Sequence, residues 1–133
     1  MYKFVAIVLA IIFTTPVIGD VLTNADRMLC ASGPVSHCVE GVGCNLTGPE
    51  DENIPEFIEV DLKRKTLAAT QASGLERSTP IQHQSRSEGN IYLQGIENDR
   101  LFSLIIKENS GDLSFTVIAN GESATMFGNC TPD

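Results

Sequence analysis

From residue 56 onward the chain changes between apolar and polar positions in short runs. Phe57-Ile-Glu-Val-Asp-Leu62 places Ile58, Val60 and Leu62 on one side and Glu59 and Asp61 on the other, the period of two of a half-buried strand. Residues 66–70 return beside it across a Lys63-Arg64-Lys65 tip, a basic run expected as a solvated turn. A polar stretch, 71–80, reads as a loop. Residues 81–87 alternate weakly, with Ile81, His83 and Ser85 expected on one side. Runs at 91–94, 101–106, 113–118 and 123–130 follow, and 101–106, the most apolar, is expected to be central. The joints between them are rich in Gly, Asn and Asp, which tolerate left-handed backbone. Asn120-Gly121 is the strongest hairpin signal. Short strands about ten residues apart predict an all-β fold, a small antiparallel meander curling into a sandwich or a partly open barrel.

The N-terminus predicts the compartment. Met1-Tyr-Lys3 precedes an apolar run over 4–13, then Pro16 and Val17-Ile-Gly19 ahead of Asp20. This is the layout of a secretory signal peptide over residues 1–19, cut before Asp20. A spanning helix needs about 20 apolar residues, and Pro16 interrupts the run. The expectation is a secreted or periplasmic protein with no stable membrane anchor after cleavage. One domain remains: a Cys-rich segment and acidic connector over 20–55, and the meander over 56–133.

Charge narrows the partners. The full chain carries 9 basic and 17 acidic residues, a net charge of −8, and cleavage would remove Lys3 as well. Nucleic acid is excluded as a partner, because its phosphates require a basic surface.

Three of the four cysteines lie in Cys30-x7-Cys38-x5-Cys44, and Cys130 is far downstream. Structural zinc favours ligand pairs two to four residues apart, and there is no Cys-x-x-Cys redox pair. An exported chain with an even cysteine number predicts disulfides, with no metal and no cofactor. Four cysteines allow three connectivities. Gly41 and Gly43 let the chain turn back between Cys38 and Cys44, which favours that pair and leaves Cys30 for Cys130. The segment is then expected to be a stapled knuckle at the edge of the domain.

No catalytic constellation emerges. His83 lies among Ser78, Ser85 and Ser87, but no Gly-x-Ser-x-Gly elbow is present. Glu59, Asp61 and Glu97 carry no spacing that selects them as an acid pair. Glu50-Asp-Glu52 with Glu56 lacks the Asp-x-Asp-x-Asp-Gly order of a calcium loop.

Pro55-Glu-Phe-Ile-Glu-Val-Asp61, Ile91-Tyr-Leu-Gln-Gly95 and Phe127-Gly-Asn-Cys130, with the cysteine cluster ahead of them, resemble small exported bacterial β-rich proteins of uncharacterised function. The resemblance implies a periplasmic or secreted β-domain and brings no site with it. Lipocalin-like barrels fit poorly, since the chain lacks tryptophan. The expected function is therefore a non-enzymatic β-domain of the cell envelope that binds a protein or a small apolar ligand. One alternative is a periplasmic inhibitor of a cell-wall hydrolase such as lysozyme, acting through 71–80, where Ser73-Gly74 is similar to a Ser-Gly loop of such inhibitors. Another is a small hydrolase with an unrecognised site.

Overall fold

A computed structural model describes residues 21–73 and 76–133; the expected signal peptide lies outside the described residues. The fold is all-β, a single antiparallel sheet of ten strands curled into a half-barrel. In chain order the strands are β1 (Arg27–Val39), β2 (Gly43–Thr47), β3 (Phe57–Asp61), β4 (Thr66–Ala69), β5 (Ser78–Pro80), β6 (His83–Ser87), β7 (Asn90–Glu97), β8 (Arg100–Lys107), β9 (Asp112–Ala119) and β10 (Glu122–Pro132). Across the sheet they run β5-β4-β3-β1-β10-β9-β8-β7-β6, with β2 added to β1.

Alternation along the strands sets the inner face. Ile58 and Val60 of β3, Ile91 and Leu93 of β7, Phe102, Leu104 and Ile106 of β8, Leu113, Phe115 and Val117 of β9, and Ala124 and Met126 of β10 are all buried together. Gly95 faces Phe102 across β7 and β8. A side chain on it would run into the Phe102 ring and come within 2.9 Å of the Pro80 carbonyl. The bare glycine lets the ring lie flat and lets β5 approach β7. Among the hairpin turns, Glu88-Gly89 and Asn98-Asp99 both hold two consecutive residues at positive φ, as two-residue hairpins require.

The Cys-rich segment is a long strand near the middle of the sheet, where the sequence suggested a knuckle at its edge. β1 pairs β10 on one side, and β3 and β2 on the other. Met28 and Cys30 point inward, and a bulge between Ser32 and Val35 resets the alternation so that Val35 also points inward. Gly33 and Pro34 occupy that bulge, and glycine and proline within a strand read locally as a loop. Both cysteine pairs are direct cross-strand neighbours, Cys30 opposite Cys130 and Cys38 opposite Cys44, and both are joined as disulfides. Cys30 and Cys130 are completely buried, while the Cys38–Cys44 bridge lies on the outer face with Cys44 exposed.

Closure is the work of one run, 78–87. Its first part, β5, pairs β4, and its second part, β6, pairs β7 at the opposite edge of the sheet. At the crossing, the Ile81 N–H donates to the Lys65 carbonyl and the Gln82 N–H to the Gln94 carbonyl. This irregular step turns Ile81 inward while His83 and Ser85 stay exposed, so the three do not share a face as strict alternation predicted. Beyond it, Arg86 of β6 donates to the carbonyl of Ala25 (2.6 Å) and pairs with Glu108 (3.0 Å). Those contacts fasten β6 to the segment that carries the buried Leu22.

Candidate functional site

The inner face is closely filled by the buried side chains of the core. Among the described residues, Ile54, Ile58, Leu67, Phe102, Phe115 and Val117 bound a cavity of about 50 Å³, room for one or two waters. Its mouth is held by a polar strap. Arg77 grips Glu97 through both its Nε (2.9 Å) and its Nη2, and Thr79 Oγ1 donates to the same carboxylate (2.6 Å). The third guanidinium nitrogen, Nη1, donates to the Asn53 carbonyl. Hydrogen bonds from Arg77 hold the Glu97 carboxyl below its ordinary value, with Thr79 and the nearby charges of Arg77 and Arg100 adding to this and burial opposing it. The same hydrogen bond with Glu97 raises Arg77. The strap therefore stays charged on both sides and fastens Thr79 of β5, and Arg77 just before it, to the end of β7; the last part of the run expected as a loop over 71–80 is thus a strand.

Beside it, the inner face turns polar at the end of β1. His37 is opposite Ala124, and Glu122 lies diagonally next to it. Its Nδ1 is 3.1 Å from Glu52 and its Nε2 is 3.4 Å from Glu122. Glu52 ends a short 3-10 turn, Pro49–Glu52, and also accepts from Thr47 Oγ1 (3.1 Å). The acidic connector is thus a clamp between β1, β2 and β10. No group of three or more His, Cys, Asp or Glu residues among those described is placed to hold a metal ion.

The expected acid candidates are dispersed. Asp61 faces Arg27 and Arg64, whereas Glu97 is engaged by Arg77. His83 sits on the outside of β6. A separate surface cleft of about 300 Å³ lies between β6 and the end of β3, lined by Asp26, Leu62, Gln84, Ser85, Arg86 and Ile91. Gln84 and Arg86 cross it to the carbonyls of Leu62 and Ala25.

No family model, curated protein or solved structure matches the chain. The site is accordingly argued from its own geometry.

The outer surface holds what the interior lacks. The β1–β2 hairpin turns through Glu40-Gly41-Val42 with Gly41 and Gly43 at positive φ, and the Cys38–Cys44 bridge staples it. Val42 at its tip and Leu46 on β2 are 78% and 79% exposed, the most exposed of the large apolar side chains described. On β7, β8 and β9, Ile96, Leu101 and Ile118 lie in one cross-strand row, also exposed. The strand register gathers Glu40, Glu97, Asp99 and Glu122 at the end bearing the hairpin tip, with Arg100 among them, whereas at the other end Lys63, Arg64 and Arg86 are matched by Asp26, Asp61 and Glu108. The sequence named the cysteines but not the hairpin, because its strand β2 (Gly-Cys-Asn-Leu-Thr) is too short and too exposed to alternate.

Proposed function

We propose that this is an exported, disulfide-tied, non-enzymatic β-domain that works by binding another protein with its outer surface. The observation that carries the reading is the contrast between an inner face filled by packed apolar side chains and the exposed apolar groups outside. A cavity of about 50 Å³ is several-fold below the roughly 300–1,000 Å³ that enclose a small ligand, while exposed apolar side chains are concentrated on the outside. The larger cleft beside β6 is rimmed by charged and amide groups that already bridge it, which does not suit an apolar guest. The two disulfides are consistent with an oxidising, extracellular environment, and this supports export to the periplasm or medium.

Native mass spectrometry of the protein isolated from its source tests the reading. The expected result is a bare chain and a complex with a second polypeptide; a retained lipid or other small apolar molecule would replace protein binding with ligand carriage. The acidic charge favours a cationic partner, and this keeps inhibition of a cell-wall hydrolase such as lysozyme as the specific alternative. Full lysozyme activity in a micromolar excess of this protein removes that alternative.

A further inference from the structure

We propose that the stapled β1–β2 hairpin is the docking element, and that its occupant is a basic cleft on a partner protein, entered by Val42. The inference rests on the protein-binding reading above and specifies its surface and its partner.

Three observations on the hairpin converge. Val42 and Leu46 are more exposed than any other large apolar side chain described, and exposed apolar groups on a projecting element mark contact sites. Among the described residues, β2 pairs only with β1, so its outer edge presents free backbone groups to an incoming strand. The element is also held rigid before any partner arrives. Cys38 is bridged to Cys44, the Glu40 N–H donates to the Gly121 carbonyl (2.8 Å), and β1 is paired with β10 along the same stretch. Rigidity of this kind lowers the entropic cost of association.

Charge selects the occupant. Glu40 in the hairpin turn and Glu50 and Asp51 in the 3-10 turn that follows β2 are all exposed, and Glu122 lies at the hairpin's base opposite Val39. A second copy docking hairpin to hairpin would bring the same acidic groups against each other, and its opposite end offers Lys63 and Arg64 already paired with Asp26 and Asp61. Anionic lipid surfaces and nucleic acid would be repelled likewise. A cationic protein surface satisfies these acidic groups and leaves an apolar floor for Val42.

The experiment uses the full chain with a photo-crosslinking residue in place of Val42, of Leu46 or, on the outer face of β8, of Ile105, each exposed to an extract of its source, cells and medium together. All three sites are exposed, and an unchanged thermal midpoint with both disulfides intact confirms each fold. The expected result is one adduct from positions 42 and 46, with a partner of basic isoelectric point. Glu40→Lys combined with Glu50→Lys should lower its yield about tenfold, the scale of electrostatic steering. Adducts from position 105 alone would overturn the hairpin while leaving protein binding intact. An acidic partner, or a yield indifferent to the charge reversal, would overturn the choice of occupant. An absence of adducts from all three positions would overturn both readings.

Discussion

At the scale of single residues the two disulfides do different work. Cys30–Cys130 ties residues 100 apart in sequence and is completely buried, whereas Cys38–Cys44 spans a separation of 6 and is exposed at Cys44. In the chain-entropy account, closing the long loop is worth about 4–5 kcal/mol and closing the short one about 2. The double variant Cys30→Ala/Cys130→Ala should therefore lose roughly twice the unfolding free energy lost by Cys38→Ala/Cys44→Ala, measured by denaturant titration. Under mild reductant, alkylation followed by mass spectrometry should label Cys38 and Cys44 first, since only that bridge meets solvent. Simultaneous labelling of all four would show that the barrel opens before either bond is reached. Gly95 offers a further test without chemistry. A β-branched residue there must displace the Phe102 ring and the Pro80 carbonyl, so Gly95→Val should destabilise by about 1–3 kcal/mol. Gly89→Ala, in a turn with open space around it, should cost less, about 1 kcal/mol from its positive φ alone.

At the scale of elements, the Arg77–Glu97–Thr79 strap joins β5 and the residue before it to β7. Glu97 titrates below its ordinary value in the folded chain, so its contribution is fully present above the carboxylate range. It is lost as pH falls through the lowered folded value. Glu97→Gln should accordingly flatten the acid side of a stability-against-pH curve and lower the plateau at neutral pH; parallel curves for the two proteins would show that the strap is energetically silent. How much of these elements the sequence revealed follows from where alternation survives. β3, β8 and β9 carry clean inward rows, so their extents are legible to within about a residue, whereas β7 is read only over 91–94 because the bare Gly95 interrupts the apolar row that the strand continues to Glu97. β1 is not legible, because the Gly33-Pro34 bulge breaks its period and its inward Met28, Cys30 and Val35 do not form one register. Ile81 was misplaced for a related reason. The shift at Gln82 depends on which edge of the sheet each half of the run joins, and that is a tertiary choice. The cysteine pairs are legible from turn chemistry. The strap and the His37 clamp are not, since Arg77 meets Glu97 only after the sheet has curled, and His37 meets Glu122 only once the distant strands β1 and β10 have paired.

At the scale of the whole molecule, stability is unevenly distributed along the sheet. β1, β10, β9 and β8 are flanked by strands on both sides and hold the buried disulfide. Among the described residues β6 has a strand neighbour only in β7; it exposes all five of its residues and is fastened on its other side by Gln84 and Arg86. Local opening follows such differences in burial and pairing. Amide hydrogen exchange should thus be fastest in β6, and slowest around Cys30, Cys130 and the inward residues of β9. Arg86→Ala removes the link to Ala25 and the pair with Glu108, and should speed exchange in β6 and at Leu22 severalfold while leaving β1 and β10 unchanged. Uniform acceleration across the sheet would mean instead that the barrel opens as one cooperative unit, with the run 78–87 as its latch. The hairpin lies away from that seam, on β1 and on β2 paired to it, in the most stable part of the sheet. A surface placed there keeps its shape while the opposite end opens and closes, which is the mechanical condition for a rigid docking element on so small a domain.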